Sequence, residues 1–162
     1  MKRDLGDLEF FGENLFAVHS IEYKRIEEYF FVFAVRLHDM WLSWEEVQFY
    51  AKLFDLPTVP LLKTDCVAEL SAELLKESVI TMAQQDSAFG ARDAKSGQDC
   101  TREGVVSRNM EEYPVADFAK NVFKYVRKGH VQTDEHWTRC WRRAKMSWEL
   151  KQKNDDLEID RE

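Results

Sequence analysis

Two short apolar segments in the second half of the chain carry a carboxylate and several cations. The first begins with Glu103, continues through a β-branched run to Val106, and is followed by Arg108. The second is centred on Lys124 and is followed by Arg127. β-Branched residues favour strands, and one carboxylate with several cations suits a nucleotide phosphate that carries a metal ion. The sequence therefore predicts a phosphate site on a pair of strands.

A second carboxylate follows the first predicted strand of the chain. Leu8 to Phe11 form an apolar run, and Gly12 after them predicts a tight turn that places Glu13 at the exit of the strand. A carboxylate in that position is well placed for chemistry. It is also a common position for a solvated turn residue, so Glu13 by itself leaves both interpretations open.

An aromatic strand is predicted for residues 29–36, which read YFFVFAVR. Simple alternation would place Phe33 on the same face as Phe31 and Val35, with Val32 and Ala34 on the opposite face. One of these rings has the right shape to stack on a purine, although packing in the core is the commoner use of a phenylalanine.

Two helices precede the basic half of the chain. Ser43 to Glu46 read as an S-x-x-E capping box, and the helix that they open should end near Asp55 because Pro57 follows. A second helix is predicted to start at Asp65 and run to about Ala83. Between these elements the sequence predicts an irregular loop at 17–23, a short strand at 58–62 and an exposed, mobile loop at 84–99.

A last helix is predicted over residues 134–150, with tryptophans along one side and cations beside them. Core packing is one use for these tryptophans, and stacking on RNA bases is another, for which Trp148 is the best placed. The candidate RNA-binding residues of this helix are Arg139, Arg142 and Arg143.

Composition favours one α+β domain of antiparallel sheets with flanking helices, since 162 residues with 44% hydrophobic content can fill a single core. The net charge of -7 argues against unselective nucleic-acid binding, but cations are concentrated between Lys120 and Lys145. The three cysteines are widely spaced and no apolar run approaches the length of a membrane span. We therefore expect a cytoplasmic, intracellular protein.

Four segments taken in order resemble the RNA ligase family of the covalent nucleotidyltransferase superfamily, most closely the phage-type ATP-dependent enzymes. They read FFGENLFAVHSI, YFFVFAVR with LSWEEV, REGVVSR, and NVFKYVRKGHVQTDEHW, and together they cover about residues 8–137. The resemblance implies a partial nucleotidyltransferase domain, ATP-grasp-like, at 1–150, and the charged composition of residues 151–162 predicts a disordered tail after it. It also implies ATP and Mg²⁺ as cofactors and RNA 5′-phosphate and 3′-hydroxyl ends as partners.

The resemblance also implies roles for individual residues. Glu13 matches an acidic residue that helps to organise nucleotide and metal, and Glu103 matches the carboxylate that holds the metal. Phe33 matches the ring that stacks on adenine, and Lys124 matches the lysine that contacts the α-phosphate. Arg108 takes a position where relatives carry a base, and Arg127 stands one place beyond the position of a second lysine.

The nucleophile motif of the family, K-x-D-G, does not occur in these 162 residues. In relatives its lysine forms lysyl-AMP, from which AMP passes to the RNA end as an RNA-adenylate. Arginine stays protonated and carboxylates are not amines, so no other side chain substitutes for that lysine. We expect a truncated or split enzyme that is inactive alone, in which a separate polypeptide supplies the K-x-D-G segment.

Two other interpretations remain open at this stage. One is a non-catalytic RNA- or nucleotide-binding module derived from a ligase, in which the basic helix matters more than the carboxylates. The other is a zinc site formed by His130, His136 and Cys140. The latter two share a helix face at i and i+4, but the sequence offers no clear fourth ligand.

Overall fold

The computed structural model describes residues 6–127, apart from 67 and 69, and residues 142–152. The strands are β1 (Leu8–Asn14), β2 (Ala17–Val18), β3 (Ile21–Tyr23), β4 (Phe30–Leu37), β5 (Met40–Trp41), β6 (Ala91–Asp93), β7 (Gly104–Arg108), β8 (Tyr113–Pro114), β9 (Val122–Val126) and β10 (Arg142–Arg143). The helices are α1 (Trp44–Leu53), α2 (Ala72–Ala83) and α3 (Phe118–Asn121), and residues 147–152 are also helical. Within these described residues, no helix has the length and apolar character needed to span a bilayer.

Antiparallel pairing of strands organises the molecule, which confirms the predicted α+β class. β1, β4, β5 and β8 form a sheet in the order β1-β4-β5-β8, while β2 pairs with β10, β3 with β6, and β7 with β9. Helix α1 packs on one face of β4, where Val32 and Val35 share a buried cluster with Leu42, Val47 and Ala51. This core fixes β4, and every other part of the candidate site is positioned relative to that strand.

A bulge interrupts the ladder between β1 and β4. Phe11 pairs with Ala34, but Gly12 pairs with Val32, so the register passes over Phe33. The extra residue bends the strand and changes which side chains share a face. The predicted alternation is therefore wrong: Val32 and Val35 lie in one buried cluster, and the Phe33 side chain is 41% exposed.

The first strand does not end at Gly12 as predicted. β1 continues through Glu13 to Asn14, and Glu13 pairs with Phe31 of β4. A Cβ at Gly12 would lie 2.4 Å from Cζ of Phe30, so the glycine admits a neighbouring ring instead of making a turn. Glu13 is thus an exposed residue of a paired strand.

Helix α1 agrees with the sequence prediction at both ends. The Ser43 backbone N–H donates to Oε2 of Glu46 at 2.9 Å, and the Glu46 N–H donates to Oγ of Ser43 at 3.3 Å, which completes the capping box. The helix ends at Leu53. Helix α2 begins later than predicted, because Ser71 accepts a hydrogen bond from the Leu74 N–H and supplies the N-cap in place of Asp65.

The two predicted loops contain strands that pair with each other. β3 lies in 17–23 and β6 lies in 84–99, and the pairing runs from Ile21 opposite Asp93 to Tyr23 opposite Ala91. Phe89 packs against Phe31 with ring centroids 4.8 Å apart, so the second loop also contributes to the core. The predicted strand at 58–62 is wrong, since in that stretch only Thr58 forms a bridge, to Val32.

The predicted last helix is wrong at its centre. Arg142 and Arg143 form β10, which pairs with Val18 and Ala17 of β2, and helical structure resumes only at residue 147. The N–H of Ala144 donates to the Phe16 carbonyl at 2.7 Å, which extends the contact. Residues 151–152, predicted as the start of a disordered tail, are helical. Residues 134–141 and 153–162 lie outside the described residues.

Replacing Ser43 with alanine should lower the free energy of unfolding by about 1 kcal/mol, because the N-terminal N–H groups of α1 lose their acceptor. Urea denaturation of Ser43→Ala measures this loss. Gln48→Ala, an exposed change in the same helix, is the matched control and should stay within about 0.5 kcal/mol of the parent. Equal stability of the two variants would contradict the capping role.

Candidate functional site

The β7–β9 hairpin supplies the cationic side of the site. Its register runs from Gly104 opposite Val126 to Arg108 opposite Val122. Val105 packs with Val79 and Ala83 of α2, so that helix covers one face of the hairpin. The next residue, Val106, points away from α2 and is 57% exposed.

Lys124 lies on the uncovered face of the hairpin. It pairs with Val106, and its own side chain is exposed. Arg108 is its diagonal neighbour on the same face, a relation that separates two residues by about 7–8 Å. The hairpin therefore presents Lys124 and Arg108 on one face.

Arg108 ties this hairpin to the bulge in β4. Its Nη1 donates to the Phe33 carbonyl, its Nη2 donates to the Leu42 carbonyl at 3.3 Å, and its Nε donates to the Asn109 carbonyl at 3.3 Å. The guanidinium also lies 5.6 Å from the ring centroid of Trp44. Burial lowers the pKa of Arg108. Arg108 thus fastens β7, and with it the strand that carries Lys124, to the backbone of β4 at Phe33.

Tyr23 of β3 connects to Glu13 through a chain of aromatic contacts. The Tyr23 and Phe89 rings are 5.7 Å apart, and Phe89 in turn contacts Phe31. Phe31 is the cross-strand partner of Glu13, and cross-strand partners point to the same face of a sheet. Glu13 and the phenol of Tyr23 therefore lie on the same side of the main sheet.

Tyr23 connects to Glu103 through backbone pairing. Its strand partner is Ala91, and the Ala91 carbonyl accepts the N–H of Cys100 at 3.0 Å. Glu103 follows Cys100 by three residues. Burial, and then the charges of Glu103 and Glu13, raise the pKa of Tyr23 to about 12. Both carboxylates are thus within electrostatic reach of one phenol.

Comparison with protein-family models identifies the family of the chain. The family model described as RNA ligase matches residues 1–126 of the 162. The chain belongs to the RNA ligase family. Comparisons with curated proteins and with solved structures gave no match. The matched part of the RNA ligase domain contains Glu13, Phe33, Glu103, Arg108 and Lys124, and it stops just before Arg127.

Arg127 directly follows β9 and lies beside Glu103. Its backbone N–H donates to the Glu103 carbonyl at 2.9 Å. Burial raises the pKa of the Cys100 thiol, and the nearby charge of Arg127 opposes that rise. The Nε of Arg127 is buried and meets no hydrogen-bond acceptor among the residues described. A buried donor of this kind can accommodate an anionic ligand.

The donor set fits a magnesium ion that is already bound to a nucleotide. No group of three or more His, Cys, Asp or Glu side chains suitable for a metal occurs in the described part of the chain. Mg²⁺ in nucleotide sites takes one or two carboxylates and completes its shell with phosphate oxygens and water. Glu13 and Glu103, which both act on Tyr23, match that requirement better than they match an all-protein metal cage.

The proposed RNA-binding arginines are engaged in ion pairs. Arg142 contacts Oε1 of Glu22 at 2.8 Å, and Arg143 pairs with Glu149 through two nitrogens while also donating to the hydroxyl of Tyr29. These contacts hold β10 against the domain. Arg139 lies outside the described residues, as do the three proposed zinc ligands, His130, His136 and Cys140.

Tyr23 is the site residue that sequence reasoning missed. Its segment was interpreted as an irregular loop, and the only local signal for a strand is the brief alternation of Ile21, Glu22 and Tyr23. Three residues are too few to establish a period of two. The position of Tyr23 in the candidate site can be recognised only from the structure, in which β6 pairs with its strand and Cys100 bonds to β6.

Gly104 must remain glycine for the hairpin to form. A Cβ there would lie 2.0 Å from the carbonyl oxygen of Tyr125, so Gly104→Ala should lower the free energy of unfolding by about 1–3 kcal/mol. Urea denaturation measures the change. Ser107→Ala on the same strand is the control and should be nearly neutral. A Gly104→Ala variant as stable as that control would contradict the close packing.

Titration of Tyr23 tests whether the two carboxylates converge. The difference in absorbance at 295 nm between the parent and Tyr23→Phe should show a phenol that ionises near pH 12, above its ordinary value of 10.0. Because the folded state favours the neutral phenol, its contribution to stability is complete below pH 10 and is lost as the pH rises through about 12. Glu103→Gln and Glu13→Gln should each lower this pKa, whereas the exposed change Glu77→Gln on α2 should not. An unchanged pKa in both site variants would place the carboxylates elsewhere.

Proposed function

We propose that this RNA ligase domain binds ATP with Mg²⁺ and takes part in sealing RNA 5′-phosphate ends to 3′-hydroxyl ends. The observation that carries the proposal is that Glu13 of β1 and Glu103, which directly precedes β7, both raise the pKa of the Tyr23 phenol. Mg²⁺ in nucleotide sites binds one or two carboxylates together with phosphate oxygens. A metal-bound triphosphate supplies that cation and uses the positive groups nearby.

Each side chain has a distinct part in this proposal. Glu103 and Glu13 hold Mg²⁺, which when bound neutralises charge that develops on the phosphate oxygens. Phe33, exposed at the bulge, offers a ring face to the adenine. Lys124 lies beside the α-phosphate, and Arg127 brings a further cation to the Glu103 end of the hairpin. Arg108 acts as a positioning residue because its guanidinium nitrogens donate to backbone carbonyls.

The nucleophilic lysine, in this proposal, comes from a K-x-D-G segment outside these 162 residues. The reaction then passes through lysyl-AMP on that segment and an RNA-adenylate before the strand is sealed. Exposed apolar side chains beside Lys124 support a docking place for such a segment: Val106 is 57% exposed and Val126 is 43% exposed. Apolar residues grouped on one strand face commonly mark a contact surface.

Adding the missing segment tests the proposal. The full chain would be mixed with a polypeptide that carries the K-x-D-G segment of another RNA ligase, together with Mg²⁺ and ATP labelled at the α-phosphate. We expect covalent labelling of that polypeptide, and Glu103→Gln should reduce the labelling at least about 100-fold because it removes a charged ligand from the site. Glu77→Gln, an exposed carboxylate on α2, is the matched control.

A binding measurement on the chain alone completes this test. Calorimetric titration with Mg²⁺ and ATP should detect binding to the parent and to Glu77→Gln, and weaker binding to Glu103→Gln. If neither covalent labelling nor nucleotide binding is detected, the proposed function is wrong. Nucleotide binding without any labelling would instead support the non-catalytic module derived from a ligase.

A further inference from the structure

A cationic groove lies on the far side of β3 from the candidate site. It has a volume of about 580 Å³, and Lys24, Arg25, Arg92 and Lys151 all line it. Lys24 follows β3, Arg92 belongs to the paired strand β6, and Lys151 belongs to the helical residues 147–152. The groove is therefore formed by segments that are distant in sequence, and its cations come from each of them.

Positive charge exceeds negative charge in and around this groove. Glu22 and Glu27 also line it, but Glu22 is paired with Arg142, and the charges of Arg92 and Lys145 lower its pKa further. Lys24 pairs with Asp99. Of the described residues that line the groove, four are cations and two are carboxylates. On a chain with a net charge of -7, this local excess of positive charge can attract an anion.

An exposed tryptophan lies on the same short helix as three of the groove-lining residues. Ser147, Leu150 and Lys151 line it from one side of the short helix, and Trp148 is one turn away from Lys151. The Trp148 side chain is 58% exposed, so it is not used for core packing. A cationic groove with an accessible aromatic ring is the combination that proteins use for single-stranded nucleic acid.

The groove and the candidate site are separated by one strand. Glu22 lines the groove and Tyr23 contacts Phe89, while Lys24 again lines the groove. Alternate residues of an extended strand point to opposite faces. An extended ligand in the groove would therefore lie against the face of β3 that is opposite to the Tyr23 side chain.

We propose that this groove binds the phosphodiester backbone of single-stranded RNA and that Trp148 stacks on one of its bases. The inference rests on the proposed function for the choice of RNA as ligand, and it assigns a second contact surface distinct from the nucleotide site. Lys24 and Lys151 contact phosphates from opposite walls. Arg25 donates to the carbonyls of Ser87 and Ala88 and keeps the wall in place.

Fluorescence anisotropy with a labelled single-stranded RNA at low salt tests the groove. The double variant Lys24→Glu/Lys151→Glu should weaken binding at least tenfold, and the dependence of log affinity on log salt should become shallower by about 0.7 for each phosphate that the protein no longer neutralises. Trp148→Ala should weaken binding about tenfold because the base then has no ring to stack on. The control Lys52→Glu/Lys76→Glu makes the same charge change on α1 and α2 and should stay within about threefold of the parent. Equal weakening in the two double variants would overturn the proposal.

Photocrosslinking of the parent chain gives an answer that does not depend on a variant folding. RNA containing 4-thiouridine should crosslink to the peptide that includes Trp148, and crosslinks confined to other peptides would overturn the groove. Calorimetric binding of Mg²⁺ and ATP separates this result from the proposed function. Groove variants should keep the nucleotide affinity of the parent. If the chain crosslinks at Trp148 but binds no nucleotide, the RNA-binding groove is supported and the proposed function is wrong.

Discussion

The guanidinium group of Arg108 joins the β7–β9 hairpin to the main sheet, and the geometry of the candidate site depends on that junction. Arginine suits this junction because its planar guanidinium group carries several N–H donors that point in fixed directions. Here the donations reach the carbonyls of Phe33 and Leu42, on either side of the β4–β5 turn. The contact sets where Lys124 stands relative to Phe33.

The site is assembled from three separate strand pairs, each of which contributes a different kind of chemistry. The main sheet supplies Glu13 and Phe33, the β7–β9 hairpin supplies Lys124, and β3 supplies Tyr23. Close backbone approach helps to define two of these units. Gly12 and Gly104 adjoin the two carboxylates, and at both positions a Cβ would overlap neighbouring atoms. The chain thus places its acids where strands come unusually near each other.

Elements with a strong local pattern were predictable from the sequence. The capping box gave the start of α1, the aromatic run gave β4 within one residue, and the β-branched and apolar runs gave the positions of β7 and β9. The short strands β2, β3, β6 and β10 were missed because each has two or three residues, and their hydrogen bonds join segments far apart in sequence. The bulge at Phe33 was missed for a related reason. Nothing in the sequence YFFVFAVR indicates that β1 offers one residue fewer than β4 at this point of the ladder.

The bulge at Phe33 has a consequence for anyone who would redesign this protein. Deleting that residue would restore an uninterrupted ladder between β1 and β4 and would satisfy the usual criteria for an ideal sheet. It would also remove the exposed Phe33 ring and the carbonyl that Arg108 uses, while Val32 and Val35 would keep the face that they already share. A more regular backbone would therefore lose both the exposed ring and the hydrogen bond that joins the β7–β9 hairpin to the main sheet.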